Sequence, residues 1–241
     1  MTGIVDVARL PINALEAAAD CYIVVDVLRA TTTIATLFAA GMESLLVAGE
    51  IDFARERAAA EGRLLFGEVH GLRPEGFDFG NSPLESAEAP VAGRGGVLFT
   101  TNGTAALCAL AGRGAVVAGA LANLGAVARF ASEFERVVVV CAGNAKGTVF
   151  SEEDFAAAGA IVRAIEGLNT GLQPGDQARR ARALDAEYEI ANAPHAALLR
   201  ELGLAADVEF CLRRESSQAV PLVVDSGHGW ALLRDAGRFR H

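Results

Sequence analysis

The apolar run Tyr22-Ile23-Val24-Val25 leads directly into Asp26-Val27-Leu28-Arg29-Ala30-Thr31-Thr32-Thr33. The run reads as a buried strand, and a carboxylate, a guanidinium and a run of hydroxyls then fall where a helix begins. The first turn of a helix leaves about four backbone N–H groups unpaired and carries the positive end of the helix dipole. Phosphate, sulfonate and carboxylate groups bind at such places. Arg29 adds a planar fork of donors, and Thr31, Thr32 and Thr33 can add hydroxyl bonds or cap the helix. Asp26 is the odd member, because a carboxylate beside an anion site is repulsive unless a metal ion lies between them or it takes part in the chemistry. The plain structural alternative is a Thr N-cap beside an Asp–Arg surface pair.

Other segments follow the same logic. Val97-Leu98-Phe99 runs into Thr100-Thr101-Asn102-Gly103-Thr104, where hydroxyls and an amide crowd a helix start and Gly103 lets the backbone approach a ligand. Val137-Val138-Val139-Val140-Cys141 is followed by Ala142-Gly143-Asn144-Ala145-Lys146-Gly147, which places a lysine after a strand without the spacing of a Walker loop. Ser151-Glu152-Glu153-Asp154 reads as a capping box, with Ser151 receiving N–H groups and Asp154 reaching back; its placement just after Lys146-Gly147 leaves open a role in binding a metal or in supporting its ligands. Between Glu68 and Gly93 lies a loop-like stretch holding Asp78 between two phenylalanines and then Gly80-Asn81-Ser82-Pro83. Long structureless stretches inside compact domains tend to be functional. Asp78 either forms an Asx-turn or stands at the rim of a site. Asp26, Glu68 and Asp78 together would supply the few hard oxygens that Mg²⁺ takes from a protein.

Several phosphatase schemes fail on spacing. Gly147 stands where a cysteine-phosphatase loop based on Cys141 needs arginine, and Leu28 stands where a paired-aspartate motif beginning at Asp26 needs a second carboxylate. The histidines His70, His195, His228 and His241 show no metal-ligand spacing and read as loop or surface residues, with His228 the one that merits a test.

The elements that would position these groups alternate along the chain. Strands are predicted at Gly3–Val7, Cys21–Asp26, Ser44–Ala48, Leu64–Gly67, Gly96–Thr100, Ala115–Ala118, Arg136–Cys141, Asp207–Leu212 and Ala219–Val224. Helices are predicted at Ile12–Ala19, Thr32–Ala40, Ile51–Glu61, Gly103–Ala111, Asn123–Phe134, Glu152–Glu166, Gly175–Ile190 and Pro194–Leu202. The pattern is that of an α/β protein, a layered α/β/α arrangement with a mainly parallel or mixed sheet and room for a smaller C-terminal lobe. Binding sites in such sheets lie beyond the carboxyl ends of the strands. A chain of 241 residues without a linker-like tract is expected to form a single α/β domain over 1–241.

Composition narrows the function further. Hydrophobic residues make up 52% of the chain, but they come in short runs, well below the ~18 residues that a membrane span requires. A formal charge of −9 with scattered Lys and Arg disfavours a nucleic-acid partner. An acidic protein that binds an anion must do so locally, through oriented N–H groups, a few cations and a divalent metal. Cys21, Cys108, Cys141 and Cys211 lie far apart in apolar surroundings, which suits free thiols in a reducing compartment; with no secretion-type leader evident, a cytoplasmic location is expected. The high apolar content leaves room for a subunit interface, and a homodimer is the expected assembly.

Asp26 to Thr33, Gly67-Glu68, Gly76 to Pro83, Thr100 to Thr104, Cys141-Ala142-Gly143 with Ser151 to Asp154, and Val220-Pro221 occur in an order that resembles the 2-phosphosulfolactate phosphatase (ComB) family. The likeness runs from about residue 22 to about residue 224. It implies an α/β fold and a Mg²⁺-dependent phosphatase that converts (2R)-2-phospho-3-sulfolactate to 3-sulfolactate and phosphate, a step toward coenzyme M. One departure is Val69, where the family favours a basic residue; its absence removes one possible ligand for a sulfonate or carboxylate.

On this reading Asp26, aided by Glu68, binds Mg²⁺, while Arg29 and Thr31 to Thr33 hold the phosphoryl group, with Lys146 as a further cation. Asn81, Ser82 and Thr101-Asn102-Gly103-Thr104 grip the carboxylate or sulfonate. Attack comes from a metal-activated water or from Asp26 itself. The alternatives are a phosphatase of the same kind acting on another small phosphorylated hydroxy acid, or a non-catalytic anion-binding domain.

Overall fold

A computed structural model describes residues 3–16 and 18–238. Ten strands form one sheet: β1 (Gly3–Ala8), β2 (Cys21–Val25), β3 (Ser44–Ala48), β4 (Leu64–Gly67), β5 (Gly95–Phe99), β6 (Ala115–Ala118), β7 (Arg136–Cys141), β8 (Leu172–Pro174), β9 (Pro221–Gly227) and β10 (Trp230–Asp235). The helices are α1 (Pro11–Glu16), α2 (Ala30–Ala39), α3 (Ile51–Glu61), α4 (Pro83–Glu88), α5 (Gly103–Leu110), α6 (Leu124–Ala131), α7 (Glu152–Leu168), α8 (Asp176–Ala181), α9 (Ala186–Asn192), α10 (Pro194–Glu201) and α11 (Ala205–Cys211). The α/β class is as the sequence pattern predicts.

Spatially the strands run β4-β5-β3-β10-β9-β6-β2-β7-β1-β8. β4, β5 and β3 are mutually parallel, as are β6, β2, β7, β1 and β8. The antiparallel hairpin β9–β10 joins the two blocks, pairing with β6 on one side and β3 on the other. Three antiparallel steps in succession make the blocks run in opposite directions. A twist of about 20–25° per strand accumulates to roughly 100–125° between β5 and β2, enough to bring carboxyl ends that a flat sheet would hold apart toward one mouth.

The central strands explain themselves chemically. Every residue of β2 is buried, as an apolar strand covered on both faces must be. Val5, Ile23, Val139, Ile161 and Ile190 belong to one apolar cluster, and Val24, Phe38, Leu98, Leu107 and Leu233 belong to a second. Leu199 and Val208, from α10 and α11, share the first cluster with β2 and α7, so the C-terminal helices are packed onto the sheet layer.

Several elements differ from expectation. Asp207–Leu212 is not a strand: Asp207, Val208, Phe210 and Cys211 are the buried residues of α11, a helical spacing that resembles alternation over so short a stretch. Gly175–Ile190 is two helices, the second capped by Asp185, whose side chain accepts the Tyr188 N–H. The loop between Glu68 and Gly93 contains α4, announced by Ser82 as N-cap and Pro83 in the first helical position. β8 and β10 were not expected as strands. Ala17, inside the helix predicted at Ile12–Ala19, and His241 lie outside the described residues.

Because β10 sits in mid-sheet, its buried Leu233 carries core packing for both blocks. Leu233→Ala is expected to cost about 2–5 kcal/mol, seen as a lower urea midpoint with an unchanged slope; a shift below about 1 kcal/mol would mean that the hairpin is peripheral to stability.

Candidate active site

The loops that follow β2, β4, β5 and β7 meet beneath α10 around a cavity of about 360 Å³. Its polar lining is Asp26, Arg29, Glu68, His70, Asn81, Thr101, Asn102, Asn144 and His195. Leu28, Pro194, Leu198, Leu199 and Leu202 make an apolar wall. Sequence and structure thus agree that Asp26, Arg29, Glu68, Asn81, Thr101 and Asn102 come together.

Asp26 stands at the carboxyl end of β2, and its Oδ1 accepts the Ala30 N–H of α2 at 3.3 Å. Its backbone carbonyl accepts the Thr31 N–H at 2.9 Å. The anion at the start of α2 is therefore the protein's own carboxylate. Burial pushes the Asp26 carboxyl up to about 6; the charge of His195 and the Ala30 N–H oppose this, and the charges of Glu68 and Glu153 add to it. Gly103 presses the start of α5 against it, since a Cβ at that position would lie 2.7 Å from the Ala30 Cβ and 2.8 Å from Asp26 Oδ2. Only glycine permits this approach.

The threonine run has a different task from the one expected. Thr31 Oγ1 donates to the Asp26 carbonyl and accepts the Asp26 N–H, while Thr32 Oγ1 donates to the Val27 carbonyl. Thr33 Oγ1 is buried without a partner. None of the three lines the cavity. The Thr31 and Thr32 hydroxyls serve the turn, because the first residues of α2 face the core. The same holds for Thr104, whose hydroxyl donates to the Thr100 carbonyl and accepts the Thr100 N–H.

Arg29 reaches the cavity, but its fork is engaged. Nη1 meets Asp207 Oδ2 at 2.5 Å, and Nη2 donates to the Gly71 carbonyl at 2.7 Å. The other Asp207 oxygen accepts the Ser82 hydroxyl at 2.6 Å. Ser82 also caps α4 by accepting the Glu85 N–H, so it braces the loop and does not line the cavity.

Glu68 follows Gly67, whose φ of +155° and close contact with the Phe99 carbonyl leave no space for a side chain. The carboxylate accepts the Thr101 N–H at 2.8 Å and the Gly71 N–H at 2.7 Å, clamping two loops of the site together. Asp78 is not part of this group. It is exposed, and its Oδ2 accepts the Leu65 N–H at 2.8 Å, an Asx-like brace for β4. Lys146 is exposed, lies 3.8 Å from Glu50 and faces a neighbouring cavity of about 480 Å³ with His228.

Sequence reasoning missed two residues, His195 and Asp207, and the partners of a third, Asp154. Asp154 was expected to reach back to its own helix start; instead, while Ser151 does accept the Asp154 N–H, the Asp154 carboxyl accepts the N–H groups of Val27 and Gly143. Burial, then the charges of Asp26 and Glu153, hold its carboxyl well above the usual range. His195 lines the cavity from the first turn of α10, its Nδ1 lying 3.4 Å from Glu153 Oε1. Burial works to lower the His195 pKa, but the Glu153 hydrogen bond and the charge of Asp26 outweigh it and raise it. Asp207 is hidden in a stretch that mimics a strand. A Ser-x-x-Asp motif and a Pro-His pair at a helix start carry no local mark of such distant partners.

Two outcomes follow. Asp207→Ala leaves the Arg29 charge buried and unpaired, and is expected to cost about 3–5 kcal/mol in denaturant unfolding; a loss below about 1 kcal/mol would show the pair to be incidental. For Asp26, the folded-state value of about 6 exceeds the ordinary 3.8, so the folded state holds the extra proton between them. The stability this lends is complete below about pH 4 and lost as pH rises through about 6. In metal-free buffer, Asp26→Asn should therefore have a higher Tm than the unmodified protein at pH 8, with the gain vanishing toward pH 4; a pH-independent difference would contradict the assignment.

The sequence model of the 2-phosphosulpholactate phosphatase family matches residues 10–226, which contain every loop of this cavity. A probable 2-phosphosulfolactate phosphatase of Thermotoga petrophila is 35% identical over 223 residues, covering 92% of this chain and 96% of that protein. Proteins with the same description are 37% identical over 234 residues in Gloeobacter violaceus (92% and 96% covered) and 40% identical over 212 residues in Thermus thermophilus (85% and 88%). By the extent of these matches, the chain belongs to the 2-phosphosulpholactate phosphatase family.

Proposed function

We propose that this protein is a Mg²⁺-dependent phosphatase that hydrolyses (2R)-2-phospho-3-sulfolactate to (2R)-3-sulfolactate and phosphate, a step toward coenzyme M. The observation that carries this reading is the charge imbalance of the cavity. Asp26 and Glu68 line it, while the Arg29 cation is already matched by Asp207. A phosphorylated anion entering there meets carboxylates, and a divalent cation resolves the repulsion.

The residues fit Mg²⁺. Asn81 Oδ1 is buried at the cavity without a partner, so with Asp26 it offers hard oxygen donors that nothing else in the protein uses fully. Among the described residues no three His, Cys, Asp or Glu side chains form a ready-made metal cage. That suits an ion bound through one or two carboxylates, with water and substrate oxygens completing its shell. When bound, Mg²⁺ supplies charge neutralisation and orientation to the phosphoryl oxygens.

The chain's own groups do the rest. Thr101 and Asn102, at the start of α5, hold the carboxylate or sulfonate end of the substrate. The leucine wall excludes water and strengthens the electrostatics of the floor. Attack by Asp26 would leave phosphate on its carboxylate, whereas attack by water would leave the protein unmodified. Rapid acid quench separates these routes: hydroxylamine-labile phosphate on the protein is expected for the first and none for the second.

Phosphate release from 2-phospho-3-sulfolactate tests the function. Turnover is expected with Mg²⁺, is expected to vanish in EDTA, and should fall by about 10²-fold or more in Asp26→Asn. Near-normal turnover of that variant would overturn the site, and no turnover with any divalent metal would overturn the function. A second reading is favoured by Val69, which is not a cation and lies outside the main cavity lining: the substrate is a phosphorylated hydroxy acid without a sulfonate. Comparing kcat/KM for phosphosulfolactate, phospholactate and phosphoglycolate decides between them.

A further inference from the structure

We infer that His195 is the general acid of the reaction, donating a proton from Nε2 to the bridging ester oxygen as the phosphoryl group leaves; the inference rests on the phosphatase reading above. The leaving group of an alkyl phosphate is an alkoxide, a strong base, and the cavity must supply a proton to it or bear its charge. Few of the lining groups can do so. Both oxygens of Glu68 already accept backbone N–H bonds, which holds it as an acceptor. His70 is exposed on its loop. Asp26 stands on the floor, where the proposed function has it hold the metal or attack phosphorus.

His195 has the arrangement that a proton donor needs. Its Nδ1 is held by Glu153, a buried carboxylate on α7, which fixes the ring and leaves Nε2 as the free nitrogen. Pro194 in the first helical position and Leu198 and Leu199 one turn on set the ring in the cavity's apolar wall. The side chain is 25% exposed, so the proton it gives up can be replaced from solvent between turnovers. A cation in the first turn of a helix is disfavoured by the dipole, and a buried carboxylate there offsets that penalty.

The step balances simply. A new P–O bond forms on the side of the attacking oxygen, and the bond between phosphorus and the C2 oxygen of the substrate breaks. Its electron pair stays on that oxygen, which takes the His195 proton and leaves as the hydroxyl of sulfolactate. Where water attacks, the proton it sheds passes to solvent and neutral His195 takes one back from solvent; where Asp26 attacks, water then cleaves the aspartyl phosphate, freeing phosphate and the carboxylate, and the proton it sheds restores His195.

The test compares two esters that differ in leaving-group basicity. These are 2-phospho-3-sulfolactate and its 3,3-difluoro analogue, whose alkoxide is a much weaker base. Under the proposal, His195→Gln lowers kcat by about 10²–10⁴-fold on the parent ester and by less than about 10-fold on the difluoro ester. His195→Ala should show the same contrast in its folded fraction, and His195→Gln, whose amide can still donate to the buried Glu153, should retain the Tm of the unmodified protein to within a few degrees. Equal losses on both esters would assign His195 a merely structural role and overturn the proposal, as would no loss on either. Failure of the unmodified protein to release phosphate from either ester would instead overturn the phosphatase reading, and the proposal with it.

Discussion

Arg29 and Asp207 are 178 residues apart in sequence, lie 2.5 Å apart in the fold and are almost wholly withdrawn from water. Removing such charges from solvent costs several kcal/mol per ion, and the return depends on geometry and on satisfying the remaining donors and lone pairs. Here the Gly71 carbonyl takes a second Arg29 donor and the Ser82 hydroxyl bonds the second Asp207 oxygen. The β2–α2 turn, the 68–82 loop and α11 are thereby fixed to one another. The rest of the site presupposes this junction. It places α10 and its histidine over the cavity, and it uses up the guanidinium that, alone among the arginines of the described residues, lines that cavity.

That commitment explains why the two carboxylates lining the cavity, Asp26 and Glu68, meet no unpaired arginine there. The opening of α2 is occupied by Asp26, and Asp154, on the opening turn of α7, is spent on the loops after β2 and β7. Two helix N-termini that could have cradled a substrate phosphate instead hold side chains of the protein. On the proposed reading, phosphate affinity comes from a divalent cation that the carboxylates recruit. Charge neutralisation would then be separate from the scaffold: the carboxylates that repel a free anion would also hold the cation that binds it.

How much of this the sequence discloses follows from the range of each interaction. The strand endings at Val25, Gly67 and Phe99, and the polar residues just beyond them, are local facts, and Asp26, Glu68, Asn81, Thr101 and Asn102 were accordingly legible as neighbours of a site. What each polar atom bonds to is not local. The hydroxyls of Thr31 and Thr32 are suited to a phosphate in composition, yet burial of the first α2 turn directs them to the backbone of their own loop. Asp78 has the right chemistry for a metal and the wrong place for it. Asp207 and His195 are positioned by partners on other elements, and β10 is a strand because β3 and β9 flank it.

The asymmetry of the cavity has a mechanical origin in the sheet. Opposed parallel blocks, turned toward each other by twist, bring polar loop ends from β2, β4, β5 and β7 to one floor, but they leave that floor open on the side away from the strands. The C-terminal helices close it, and they do so with leucines because α10 and α11 already pack on the apolar cluster around α7. A polar floor under an apolar lid lowers the effective dielectric just where charges must act, so each Coulombic interaction there is worth more than in water. A protein with a net charge of −9 can therefore work on an anion with very few cations of its own, provided that those few are enclosed.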